Sequence, residues 1–358
     1  MDAVDNKYID DAITALMRTI GVRESADSRK IVSLVRSGKV KEAIKEIARH
    51  LGLPIEVNLS YVSNKPNSGQ GFRTTQLVQT DSRGRGAAAI TAQVSIPSHL
   101  PFYGSSAMIN FPINVQVREN CTEHPMTFVT LIAHELSHVV LHSIRHNERE
   151  NEFYTDLTAM MLGFAEAMKS GRKIVTSTSS GRTVRTQTIT YGYLSDSNFD
   201  FAFEKIKSIW RAARTKQKQL LIGINALESD FRRKKKEVDY FRSYLAYLDG
   251  DLRSKFWTKS IAHNDGHLIS SFHHANYTSE FESALRRAES ELKQGSVYIR
   301  NLSHYDEARF ESVQKFEETI RSSSIDRKYD RIHSAVVLMK KYVSLTHRFR
   351  TFLKIKLG

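Results

Sequence analysis

A single cysteine, Cys121, stands in 358 residues, so no disulfide can form within the chain, and that scarcity fits a reducing compartment. Nor does any uncharged apolar run approach the ~20 residues a bilayer span needs. The opening Met1-Asp-Ala-Val-Asp carries acids where a secretory leader would carry bases. A cytoplasmic protein without a membrane span is the expectation. Acidic residues are short in one half only: residues 1–200 carry 22 basic and 20 acidic groups, whereas 201–358 carry 31 and 19. Such an excess attracts nucleic acid, anionic membrane or acidic protein surfaces and says nothing about fold.

What is present divides by period. Tyr8, Ile9, Ala12, Ile13, Leu16, Met17 and Ile20 recur at helical spacing up to Gly21. Ile31, Leu34 and Val35, then Val40 to Leu51, continue the helical pattern. Gly38-Lys-Val-Lys makes a poor recognition helix, so packing is the preferred role for this segment. After Pro54 the residues alternate apolar and polar through Ile55–Val62, a strand pattern; Ser63 to Gly71 reads as a loop. Further strands are expected at 88–96 and 108–117. Pro112 marks the second as an edge strand or a broken one, because proline cannot donate to the ladder. An edge there either captures a peptide by strand addition or merely closes the sheet.

The chemistry lies in Thr130-Leu-Ile-Ala-His134-Glu135-Leu-Ser-His138-Val-Val-Leu-His142. Residues four apart on a helix lie about 40° apart around the axis and about 6 Å along it, so His134 and His138 present two imidazoles to one point. That is a zinc clamp, and Glu135 can reach a metal-bound water. Phe128, Val129, Leu131, Ile132, Leu136, Val139 and Val140 surround the motif with apolar groups. Two histidines and a carboxylate buried there would cost several kcal/mol if unpaired, and one cation satisfies all three.

A third ligand is needed. His142 lies about 12 Å along the axis from His134, too far to share one tetrahedral ion. The metzincin pattern fails, because Leu141 and Ile144 stand where it needs glycine and histidine. Glu152 is the better ligand: Asn151-Glu152-Phe-Tyr-Thr-Asp156 opens a second apolar helix and puts two carboxylates on one face. One can hold the ion while Asp156 fixes the far nitrogen of a histidine.

H-E-L-S-H followed by E-x-x-x-D-x-x-A resembles the gluzincin metallopeptidases. The order helix, Leu51-Gly-Leu-Pro-Ile-Glu-Val strand, sheet and H-E-L-S-H-V-V-L-H helix is similar to the soluble ImmA/IrrE-like peptidases over residues 40–170. The Glu152 to Asp156 spacing with Ala159 is closer to the CAAX-processing membrane proteases, whose spans are absent here. Asp156 stands where ImmA/IrrE-like chains usually have asparagine, and no DNA-binding head is evident. The resemblance implies a zincin-like core, a Zn2+ cofactor and peptide-bond hydrolysis.

Beyond Gly171 a threonine-rich alternation on both sides of Ser180-Gly181 predicts a β-hairpin, closed by Tyr191 and Tyr193. Tyr193 could donate to an oxyanion near the metal, and core packing is the alternative for both tyrosines. From Phe203 to Leu252 an apolar seam steps three, four, three, four, with only Gln217 and Lys234 polar. It predicts one helix, with stripes at 281–292, 310–320 and 329–343 folding back as an antiparallel bundle or pairing with a second copy. Arg232-Arg-Lys-Lys-Lys236 reads as a solvated face or a phosphate contact. His263, His267, His273 and His274 form a histidine-rich loop without a carboxylate or cysteine ligand set.

The expected architecture is therefore α+β. A zincin-like metallopeptidase domain spans 1–198, and a basic helical coiled-coil or bundle domain spans 199–358. The expected function is a zinc metalloendopeptidase acting on a cytoplasmic protein partner, with a zinc-bound water activated by Glu135. The alternative is a non-catalytic coiled-coil scaffold with a structural zinc that binds nucleic acid or protein.

Overall fold

The computed structural model describes residues 5–62, 79–80, 92–180, 183–248, 277–321 and 325–357. The expected loop at 63–71, residues 88–91 of the second strand and the histidine-rich stretch lie outside these. The described chain mixes α-helices with small sheets.

Helix α1 (Asn6–Thr19) starts where the Asp5 carboxylate accepts the Lys7 N–H, and it buries Ile9, Ala12, Ile13 and Leu16, the stripe the spacing predicts. A two-residue strand β1 (Val22–Arg23) follows. Asp27 caps α2 (Ser28–Arg36) in the same way, and α3 (Val40–His50) buries Val40, Ala43, Ile44 and Ile47. Then come β2 (Glu56–Val62), β3 (Gln79–Thr80), β4 (Ala92–Ser95) and β5 (Pro112–Arg118).

The first sheet has the order β2-β5-β4, with β2 parallel and β4 antiparallel to β5. This corrects the edge expectation: β5 is the central strand. Pro112 is tolerated because it is the first residue of the strand, and the Glu56 N–H bonds the Phe111 carbonyl just ahead of it. Strand addition at β5 is thereby closed off. Ile113, Val115 and Val117 point to one buried face, joined by Val57, Ala92 and Val94.

Against this sheet lies α4 (Pro125–Ser143), whose proline occupies the first turn and whose residues from Thr127 to Leu141 are all buried. Asn151 caps α5 (Glu152–Ala159). The second apolar helix is interrupted by a π turn at Met160–Phe164, where Gly163 takes φ +100° and its carbonyl accepts from the Ala26 N–H. Helix α6 (Ala165–Gly171) then runs back along α4, tied by Thr127 Oγ1 to the Gly171 carbonyl at 2.8 Å. The predicted hairpin forms as β6 (Lys173–Ser180) and β7 (Thr183–Thr190), paired Ser180 to Thr183, and β3 joins β7 on its other side.

Helix α7 (Asp196–Leu248) carries the predicted seam as far as Leu248, roughly 80 Å at 1.5 Å per residue, and the seam's last positions, 249–252, lie outside the described residues. It is followed by α8 (Tyr277–Arg300), β8 (His304–Tyr305), α9 (Glu307–Arg321), α10 (Ile325–Met339) and α11 (Leu345–Leu357). The chain packs as two units, Met1–Ala213 with Ser303–Glu307, and Arg214–Leu302 with Ala308–Gly358. Packing thus divides the chain inside α7, whereas the change of sequence pattern falls at 198/199. The difference arises because the first turns of α7 bury Phe199, Ala202, Phe203 and Ile206, with the Arg172 guanidinium 4.4 Å from the Phe199 ring.

In the second unit the seam residues Ile224, Phe231, Val238 and Phe241 are buried by the chain's own helices. Gln217 meets Ile299, Glu228 meets Arg300 and Arg242 meets Glu282, so α8 runs antiparallel to α7. Both polar seam positions are satisfied. Gln217 Nε2 donates to the Ile299 carbonyl at 2.6 Å. Lys234 turns inward to Asp230 at 2.6 Å and to Asp326, so the basic run at 232–236 is not a uniform solvated face.

Candidate metal centre

One turn of α4 separates His134 from His138, and both rings face the start of α5, where the N-cap at Asn151 fixes the backbone that carries Glu152. His134 Nε2 lies 3.1 Å and His138 Nε2 3.2 Å from the same oxygen, Glu152 Oε2. The three ligand atoms lie within 4.8 Å of one another. Tetrahedral ligands at about 2.05 Å from zinc stand about 3.3 Å apart, so the arrangement fits one small cation with little movement. Both histidines are about 1–2% exposed, and Glu152 is only partly buried, which leaves the carboxylate side as the approach.

Each histidine is turned by a second contact. Asp156 Oδ1 accepts a hydrogen bond from His134 Nδ1–H at 2.7 Å. Thr155 Oγ1 lies 3.3 Å from His138 Nδ1 and spends its own proton on the Asn151 carbonyl, so toward the imidazole it acts as acceptor. In both rings Nδ1 is thereby engaged and Nε2 is turned toward Glu152, the side on which an ion would replace the proton that His134 Nε2 shares with that carboxylate. Asp156 is itself held: its Oδ2 accepts the backbone N–H groups of Tyr193 at 2.7 Å and Leu194 at 3.3 Å. Gly192 makes that approach feasible, since it takes φ +94° and a Cβ there would stand 3.1 Å from Asp156 Oδ2.

The electrostatics follow from burial and pairing. Burial opposes a charge on His134, but hydrogen bonds to Asp156 and Glu152, with the nearby Glu135 carboxylate, outweigh it and hold the pKa up at about 10. Burial also opposes the Glu152 carboxylate, yet the bonds to His134 and His138 bring its pKa down to about 2. A cationic imidazole and a carboxylate thus meet in an apolar interior, and a divalent cation is the natural replacement for the proton they share.

The structure brings His134, His138, Glu152 and Asp156 together as the spacing predicts, with fully buried Glu135 on the same turn. His142 does not join them; its Nε2 faces Glu150 at 3.4 Å. Tyr191 is core, 1% exposed. Tyr193 is not: its ring stacks on His134 with centroids 5.8 Å apart and planes 19° from parallel. Thr155 escaped sequence reading, although its place three residues after Glu152 and one before Asp156 was a usable signal.

No protein-family profile matches the chain, and no curated protein or solved structure matches it either.

Proposed function

We propose that the protein is a zinc-dependent metallopeptidase with a zincin-like core. The observation that carries this reading is the convergence of His134 Nε2, His138 Nε2 and Glu152 Oε2, with no fourth His, Cys, Asp or Glu ligand among the described residues. A structural zinc site is normally closed by four protein ligands, whereas a catalytic one keeps a position open. A zinc ion held there would polarise a scissile carbonyl and acidify water. Glu135 is the base that takes the proton from the attacking water and delivers it to the leaving amine. Asp156 and Thr155 keep the two imidazoles in one tautomer throughout. Tyr193, whose ring stacks on His134, would donate its hydroxyl proton to the developing oxyanion. The substrate is a peptide or protein segment of the same compartment, taken to be the cytoplasm.

Replacing Glu135 by Gln preserves size and removes the base. Metal content measured by mass spectrometry should stay at that of the native chain, while new protein termini generated on expression of the native enzyme should vanish with the variant. Undiminished cleavage by Glu135→Gln would refute the mechanism. Retention of metal by His134→Ala would refute the ligand set.

A further inference from the structure

Helix α11 is built to stand with one face out. Ser344 caps it, its hydroxyl accepting the His347 N–H at 3.2 Å. One side is fixed to α7: Thr351 is 5% exposed and its hydroxyl lies 2.9 Å from Ser243 Oγ, while the His347 ring packs on Tyr247 with centroids 4.1 Å apart. The other side shows Leu345, Phe349, Phe352, Leu353 and Leu357, between 38% and 83% exposed. At 100° per residue these five fall within an arc of about 140° on a rod about 20 Å long. Exposed large apolar side chains elsewhere among the described residues are scattered, and that is ordinary; five on one turn-aligned face is not.

Charge narrows the occupant. From Arg331 to Gly358 there are seven lysines and arginines and no aspartate or glutamate. Arg350, Lys354 and Lys356 are exposed and make no ion pair among the described residues. Arg350 borders the apolar arc, Lys354 lies about 60° beyond it, and Lys356 rises from within it, its ammonium 5.2 Å from the Phe352 ring centre and its flexible stem able to carry the charge out to a polar layer. A second copy of this face would oppose cation to cation. Duplex nucleic acid would pair the cations and leave leucines against phosphate. An anionic bilayer takes both at once, acyl chains receiving the five apolar groups and headgroups the cations.

We propose that α11 docks the protein on an anionic membrane surface, lying in the interfacial plane rather than crossing it. No helix among the described residues is long and apolar enough to cross. The surface is independent of the metal centre, so either reading can fail alone.

The test is flotation of the full-length chain with vesicles of phosphatidylcholine alone or with about one-third phosphatidylglycerol. The native chain should float with the anionic vesicles, remain behind with the neutral ones, and detach as salt is raised. Replacing Phe349, Phe352 and Leu353 together by serine, and separately Lys354 and Lys356 by glutamate, should each weaken binding at least roughly tenfold. The lysine variant should leave the melting temperature in place, and the serine variant should lower it only slightly, because Phe352 and Leu353 are 43% and 38% exposed. In a Phe352→Trp variant, anionic vesicles should shift the indole emission to the blue, a reading that does not depend on the multiple variants folding. Equal flotation with neutral vesicles, native-like flotation of the serine variant, or an unshifted indole would overturn the proposal. So would salt-sensitive binding of duplex DNA, or dimerisation in light scattering, in a chain that does not float.

Discussion

Which nitrogen a histidine offers to a metal is decided by what holds the other one. Here that is Asp156 for His134 and Thr155 for His138. Changing Asp156 to Asn keeps the shape and removes the charge that favours Nδ1–H, so zinc affinity measured by competition with a chelating dye should fall about 10–100-fold. Changing Tyr193 to Phe should leave that affinity alone and lower kcat by about 10²-fold, the usual size of one lost oxyanion donor. At this scale the sequence was informative where spacing on one helix does the work: His134 with His138, and Glu152 with Asp156. It could not show that the Tyr193 and Leu194 amides close on Asp156, because that contact joins residues 37 and 38 apart through a hairpin.

Among the elements, the π turn after α5 has the clearest consequences. Gly163 there takes a backbone conformation that a side chain strains, and an added Cβ would stand 2.3 Å from the Glu24 carbonyl oxygen. Gly163→Ala should therefore cost more than about 1 kcal/mol in urea unfolding. His50 is wedged beside it, its Nε2–H donating to Glu24 O at 2.9 Å and its ring edge-on to Phe164. Burial lowers its pKa below the ordinary 6.5, a partial offset coming from the Glu24 bond. The unfolded chain then takes up a proton near pH 6.5 more readily than the folded one, so this stability is present above about pH 6.5 and lost as pH falls below it. Urea midpoints of His50→Gln should therefore gain on those of the native chain as pH falls from about 7.5 to 5.5, the contribution of His134 being common to both. Helices and strands were legible from period alone, since burial follows the stripe. The central place of β5 was not, because proline forbids a donor but does not say which residue of a strand it occupies. The π turn was hidden because Leu157 to Phe164 is buried on every side and apolar but for Thr158, so no period marks the break.

For the molecule as a whole, the long seam was readable because the heptad pattern records burial without regard to partner. Only the structure shows that α8 to α10 supply that partner from the same chain. The residues that could hold a metal all belong to the first unit. Calorimetry should accordingly resolve two transitions, zinc raising one by about 2.7 kcal/mol at a hundredfold excess over Kd and leaving the other in place. The first unit is also discontinuous. Strand β8 pairs with β1 through Val22 and Tyr305, and His304 Nε2 donates to the Ile20 carbonyl. A growing chain therefore cannot finish the sheet that β1 begins until residues 214–302 have left the ribosome. At about 5–20 residues per second that is a wait of roughly 5–18 s, so the inserted stretch acts as a built-in clock on the completion of the unit that carries the candidate metal centre.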